Sequence, residues 1–185
     1  MGTGKSSLAR ILAERWRRPM FDTDALIERR VGMTVADFFA KNGEEAFRAL
    51  ERECIAGWLP EKGAVVACGG GLVTGEGMVD LLKARGVVIC LFATPETILR
   101  RTSHTTHRPL LQCDDPAARI EELLAQRESF YSRAGAGLLT DGRTFPDLAD
   151  SIERLYRREV AAREKEGEAI KLTQAKKNRN DTSAG

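Results

Sequence analysis

The chain has 185 residues, enough for one domain with a buried core and too few for two. Hydrophobic residues make up 42% and charged residues 30%, an ordinary globular composition, and no apolar run approaches the roughly 20 residues of a membrane span. The net charge of +2 is too small to point to nucleic acid, and it is uneven: residues 157–185 carry eight Lys/Arg against five Asp/Glu, which leaves −1 for residues 1–156.

Met1-Gly2-Thr3-Gly4-Lys5 is unlike a signal peptide. Leu8, Ile11, Leu12 and Trp16 form a helical stripe directly after Gly4-Lys5. Residues 19–22 predict a short strand ending in acidic residues. Thr34 predicts the cap of a helix carrying Val35, Phe38 and Phe39, and a long helix follows from about Glu44 to Trp58. Residues 64–68 read as a buried strand running into three glycines, and residues 86–93 as the central strand. Thr94, with Pro95 at the first helical position, starts another helix. From Ser103 to Asp115 the periodicity vanishes, which predicts a mobile lid between two helices. Asp115-Pro116 caps a helix striped with Ile120, Leu123, Leu124, Phe130 and Tyr131. A last strand near Leu138-Leu139-Thr140 precedes a terminal helix with Leu148, Ile152 and Leu155. Residues 1–160 read as one domain. Residues 161–185 lose the apolar period and read as a charged tail, frayed helix running into disorder. Alternating helix and strand signals predict an α/β fold with a parallel sheet.

The four cysteines (Cys54, Cys68, Cys90, Cys113) show no CxxC spacing, and three lie in apolar surroundings, so reduced core thiols and a cytoplasmic protein are expected. His104 and His107 lie three apart in the polar loop, and two histidines do not make a metal site.

Gly4-Lys5-Ser6 opening an amphipathic helix matches the end of the phosphate-binding loop GxxxxGK[ST]. Glycines let backbone N–H groups close around phosphates, the helix N-terminus favours the anion, and Lys5 reaches the transferring group. The Ser6 hydroxyl is the expected Mg²⁺ ligand. The motif's first glycine would fall ahead of Met1, as would the strand that feeds the loop. A working start roughly ten residues upstream is therefore expected, the rival being a truncation with an inactive fold.

Two side chains interrupt core-facing stripes with charge. Arg127 falls among Ile120, Leu123, Leu124 and Phe130, and Glu51 among Phe47, Leu50 and Cys54. A charge there is costly unless an opposite charge meets it. Glu51 sits one turn from Arg48 and can orient its guanidinium, or the two can form an internal ion pair serving stability. Asp22 and Asp24 read as site carboxylates or as turn residues capping the next helix. Gly69, Gly70 and Gly71 read as a tight turn or as a place where backbone approaches a ligand.

Taken in order, Gly-Thr-Gly-Lys-Ser, Asp22-Thr23-Asp24, the helix opening Gly43-Glu44-Glu45-Ala46-Phe47-Arg48, Gly69-Gly70-Gly71 and Arg108-Pro109-Leu110-Leu111 resemble shikimate kinase, over Met1 to about Tyr156. The resemblance implies a three-layer α/β/α P-loop kinase fold with a parallel five-stranded sheet, its first strand missing from this chain, and a mobile lid at about residues 103–115. It implies transfer of a phosphoryl group from ATP to the 3-hydroxyl of shikimate, with Mg²⁺, in a cytoplasmic monomer that binds neither nucleic acid nor membrane. ATP would be held by Gly2, Thr3, Gly4, Lys5, Ser6 and Ser7, with Arg108 and Arg101 from the lid side. Asp24 would hold the reacting hydroxyl and take its proton, and Lys5 and Arg127 complete the catalytic set. Arg48 and Arg127 would clamp the substrate carboxylate over Gly69, Gly70 and Gly71, while Ser6 and Asp22 support Mg²⁺. The chain departs from the family at Arg127-Glu-Ser-Phe-Tyr131, where Arg-x-Pro-Leu-Tyr is usual, and Arg143 is a loose match for an adenine-side residue. Two rivals stand beside this reading: another small-molecule P-loop kinase of the gluconate or nucleotide type, and a non-catalytic ligand-binding remnant.

Overall fold

A computed structural model describes residues 2–103 and 113–182, with side chains through residue 169. The element order is α1 (Lys5–Trp16), β1 (Met20–Asp22), α2 (Thr23–Val31), α3 (Val35–Glu53), β2 (Val65–Ala67), α4 (Met78–Arg85), β3 (Ile89–Phe92), α5 (Pro95–Thr102), α6 (Pro116–Ala134), β4 (Ala136–Leu139) and α7 (Phe145–Thr182). Helix starts follow the capping residues. The Thr34 side chain accepts from the Asp37 N–H, that of Thr94 from Thr97 N–H and that of Asp115 from Ala118 N–H, with Pro95 and Pro116 just inside their helices. The two helices expected before residue 58 are one run, kinked where Gly43 takes φ 78° and continued by a wide π-type turn at Cys54–Trp58. Helix α7 extends through the stretch that the sequence marks as a tail.

The strands are parallel, in two pairs. Met20, Phe21 and Asp22 lie opposite Val65, Val66 and Ala67, and Ile89–Phe92 lie opposite Ala136–Leu139. The parallel α/β architecture is as expected, and no hydrogen-bonded ladder joins β2 to β3 among the described residues. The connections between paired strands run through helices, as parallel pairing demands.

Alternation along the strands sorts the core into layers. Ile89 and Leu91 face a cluster with Leu8, Leu12, Leu148 and Ile152 from α1 and α7. Cys90 and Phe92 face the opposite cluster, with Leu72, Met78, Leu82 and Ala134 from the α4 and α6 side. A third cluster, around Ile27, Phe47 and Cys54, welds α2 to α3. All four cysteines are free, and burial pushes the thiols of Cys54 up to about 11 and Cys68 up to about 12, so both stay protonated. No helix among the described residues is long and apolar enough to cross a membrane.

Candidate active site

The site forms where β1 and β2 end against the start of α1. Gly4 caps α1 at φ 84°, a left-handed conformation that glycine adopts without steric cost, and a Cβ there would also meet the Phe145 ring at 3.1 Å. Gly2 is left-handed too, at φ 63°, and packs on Ile98 and Thr102 of α5. These turns aim the first N–H groups of α1 outward, where no residue of the helix can accept them. Ser6 and Ser7 lie exposed on that first turn, and Lys5 is half-buried, close enough to Asp24 to lower its pKa.

Asp22 serves two neighbours at once. Its Oδ1 accepts from the N–H groups of Asp24 (3.1 Å) and Ala25 (3.4 Å), capping α2, while Oδ2 accepts from the Ser6 hydroxyl at 2.9 Å. The capping reading holds, and the bond to Ser6 sets the same carboxylate beside the phosphate loop. The resulting pair, one hydroxyl and one carboxylate oxygen beside the phosphate loop, fits Mg²⁺, which takes a few hard oxygens and keeps its waters. Among the described residues no group of three or more His, Cys, Asp and Glu could hold a metal, so a protein-caged ion is not what these residues build.

Asp24, at the start of α2, is drawn to the glycine turn after β2. A Cβ on Gly69 would stand 2.8 Å from Asp24 Oδ1 and 3.3 Å from Glu51 Oε1, so only glycine leaves room for both carboxylates. Burial, reinforced by Asp22, pushes the Asp24 pKa up, against the pull of Lys5. A Cβ on Gly71 would stand 2.7 Å from Arg48 Nη2. Gly69 and Gly71 thus admit side chains of the site at close range within a turn that the Leu72 N–H closes on the Gly69 carbonyl at 3.2 Å.

Arg48 lies between two glutamates. Its Nη1 donates to buried Glu51 at 2.6 Å and its Nη2 to exposed Glu44 at 2.6 Å. Burial pulls the guanidinium pKa down, but hydrogen bonding and charge from Glu51 and Glu44 outweigh it and leave it raised. Burial raises the Glu51 pKa, against Arg48. Arg127 on α6 is buried at 7% exposure, and its charge reaches Tyr131 one turn on. The Tyr131 hydroxyl donates to the Gly70 carbonyl at 2.7 Å, which ties the Arg127 helix to the glycine turn.

Three residues that sequence reasoning passed over complete the arrangement. Thr23, fully buried, accepts from the Gly69 N–H at 3.1 Å across 46 residues, and only the fold reveals that partner. Tyr131 reads from the sequence as part of a stripe and of the Arg127-Glu-Ser-Phe-Tyr131 motif, with no partner assigned. Phe145, exposed, covers Gly4. Arg101 donates to the Gly2 carbonyl at 3.2 Å and to Thr140, bracing the phosphate loop against the end of β4. Arg143 turns back onto α7, donating to the Asp147 carbonyl and to Ser151, and does not face the phosphate loop by these contacts. Arg108, His104 and His107, with most of the expected lid, lie outside the described residues.

Comparison with known proteins meets the same picture. The shikimate kinase family model matches residues 1–157. A shikimate kinase of Caldanaerobacter subterraneus is 41% identical over 156 residues, covering 84% of this chain and 91% of that one. One from Halorhodospira halophila is 47% identical over 131 residues, 71% of this chain and 74% of the relative. The solved shikimate kinase of Acinetobacter baumannii in complex with shikimate superposes with a TM-score of 0.81 at 35% identity, covering 86% of this chain and 89% of that one. From its phosphate loop to the first turns of α7, the chain belongs to the shikimate kinase family.

Proposed function

We propose that this chain moves the γ-phosphoryl group of ATP onto the 3-hydroxyl of shikimate, with the site residues dividing the work as follows. The observation that carries the reading is the convergence of Asp24, Arg48 and the Gly69–Gly71 turn beside Lys5. Asp24 accepts a hydrogen bond from the acceptor hydroxyl and takes its proton as the oxygen attacks phosphorus and ADP departs. Its raised pKa suits that task, because a carboxylate already stabilised by strong partners would be a poorer base. Arg48 and Arg127 hold the substrate carboxylate, and a pair of guanidinium forks fixes a planar anion in orientation as well as in place. Glu51 and Glu44 hold Arg48 at the angle it needs.

The first turn of α1, with Gly2, Thr3, Gly4, Ser6 and Ser7, receives the ATP phosphates, and Lys5 neutralises charge on the transferring group. Ser6 and Asp22 would hold Mg²⁺, which when bound supplies charge neutralisation on the phosphates. Arg101 holds the phosphate loop from below, and Arg108 is assigned to the nucleotide side of the lid. The catalytic unit is residues 1–160, a body near neutral in charge with no helix among the described residues long and apolar enough to cross a membrane.

A coupled ADP-release assay tests the reading, run with shikimate, gluconate and nucleoside monophosphates. Turnover with shikimate and Mg²⁺, at least about 100-fold above the others in kcat/KM, is expected, because a site built for a carboxylate leaves charge unpaired when the carboxylate is missing. Preference for gluconate or a nucleotide, or tight binding without turnover, would replace this reading with one of its rivals.

A further inference from the structure

Arg48 holds one carboxylate on each of its two terminal nitrogens, and the two differ in burial. Glu51 takes Nη1 from the core side, with its side chain 2% exposed, and Glu44 takes Nη2 from the solvent side, with its side chain 65% exposed. Both nitrogens face the glycine turn: a Cβ on Gly71 would stand 2.7 Å from Nη2 and 2.9 Å from Nη1. The partner of Nη1 is locked in the core. The partner of Nη2 is free to exchange.

Backbone geometry puts Glu44 in that position. Gly43 breaks α3 with φ 78° and ψ 175°, a region that glycine alone adopts readily, and a Cβ there would meet nothing within 4 Å. Conformation, and not crowding, therefore calls for glycine at the kink. The helix resumes at Glu44, one turn ahead of Arg48, and side chains four apart share a face. A guanidinium binds a carboxylate best when two neighbouring N–H groups are open to it. Glu44 takes one of those groups and sets a second negative charge beside any incoming carboxylate. An exposed ion pair is worth little, so a substrate anion can displace it, whereas displacing Glu51 would strand a buried charge.

We infer that Glu44 competes with the substrate carboxylate for Arg48 Nη2 and swings off that nitrogen as the acceptor binds. One exposed glutamate then weakens the site's hold on its acceptor, and in the complex Glu51 alone fixes the guanidinium. This rests on the assignment of Arg48 as a carboxylate clamp.

The test is calorimetric binding of shikimate and of an analogue with a hydroxymethyl group in place of the carboxylate. Glu44→Gln keeps an acceptor without the charge, Glu44→Ala removes both, and Glu53→Gln, an exposed acid on the same helix, controls for net charge. The Kd for shikimate is expected to fall about 3-fold in Glu44→Gln and up to about 10-fold in Glu44→Ala, with the Kd for ATP and the melting temperature nearly unchanged. Glu53→Gln should move none of these, and the neutral analogue should bind all four chains alike. In an Arg48→Met background, Glu44→Ala should have no effect on shikimate binding. Unchanged or weaker shikimate binding by the Glu44 variants would overturn the inference and leave Glu44 as a helix-stabilising partner of Arg48. An equal gain from Glu53→Gln, or an equal gain for the neutral analogue, would overturn it as well. If the parent chain binds shikimate no better than the neutral analogue, the clamp assignment itself fails, and the inference with it.

Discussion

At residues 69–71 the backbone is pinned by side chains from three helices, whereas at residues 2–4 it rests on one helix, α5, through Ile98, Arg101 and Thr102, and on the edge of the Phe145 ring. Thr23 of α2 takes the Gly69 N–H, Tyr131 of α6 takes the Gly70 carbonyl, and Arg48 of α3 lies against Gly71. On the other side Arg101 takes the Gly2 carbonyl and Phe145 covers Gly4. The acceptor side of the site is thus shaped before any ligand arrives, by residues that also pack the core. The phosphate side relies on left-handed glycines and on the face of α5 that Gly2 packs against. Binding sites gain affinity from such preorganisation because less ordering remains for the ligand to bring about. Substitutions on the acceptor side should therefore change shikimate binding while leaving ATP binding nearly untouched.

The largest expected effect is at Asp24, which both loops face. Asp24→Asn should lower turnover by about 10²–10⁴-fold, the usual worth of a positioned general base. It should also raise stability at neutral pH. A carboxyl whose folded pKa is raised favours folding while it is protonated. That stabilisation is full below the ordinary value of 3.8 and is lost as pH rises through the folded value. At pH 7 the ionised group is a net cost that asparagine removes. Thermal melts at pH 7 and pH 3.5, beside the coupled assay, check both halves; a folded mutant with near-normal turnover would remove Asp24 from the mechanism.

Glu51 comes next. Its side chain is 2% exposed, and Arg48 is its ion-pair partner. Glu51→Ala leaves a half-buried guanidinium with only exposed Glu44, and should cost about 3 kcal/mol in urea unfolding, the low end for breaking a buried pair. Glu51→Gln keeps the shape and one acceptor, and should cost less while still raising the KM for shikimate. If neither variant moves that KM, the Arg48–Glu51 pair serves stability alone.

Arg127→Lys probes the second clamp. The ammonium keeps the charge but loses the fork, so the Kd for shikimate should rise about 10-fold while that for ATP stays within about 2-fold. Equal weakening of both ligands would place Arg127 on the structural or nucleotide side.

Much of this side was legible in the sequence because its signals are local. Arg127 and Glu51 break apolar stripes, Arg48 lies one turn from Glu51, and Asp22 ends a strand with Asp24 two residues on. The contacts that pin the turn were not legible, since Thr23 and Gly69 are 46 residues apart and Tyr131 and Gly70 are 61 apart. Nothing local distinguishes a threonine that caps a turn from one that waits for a distant N–H. Helix α4 escaped notice, and α2 showed only as the helix that Asp22 and Asp24 would cap, for a related reason. Each is short and buries only two residues, too few for a period to emerge.

The smallest expected effect sharpens the comparison most, because it removes one pin and nothing else. Tyr131→Phe deletes the hydroxyl that donates to Gly70 and leaves the ring, which meets Phe92 edge-on with centroids 5.8 Å apart. Packing is therefore preserved, and the loss is one hydrogen bond, about 0.5–1.5 kcal/mol. If the glycine turn owes its shape to its three pins, that loss should appear in the acceptor half of the reaction. The KM for shikimate should rise about 2- to 10-fold, the factor that energy converts to, with the KM for ATP unchanged. Thr23→Val, which removes the neighbouring acceptor, should act in the same direction. The double variant should fall short of the product of the two, since both pins restrain one turn and neighbouring restraints are not additive. A Tyr131→Phe enzyme that loses stability but keeps both KM values would mean that the hydroxyl holds α6 to the core and leaves the turn's shape to the glycines themselves.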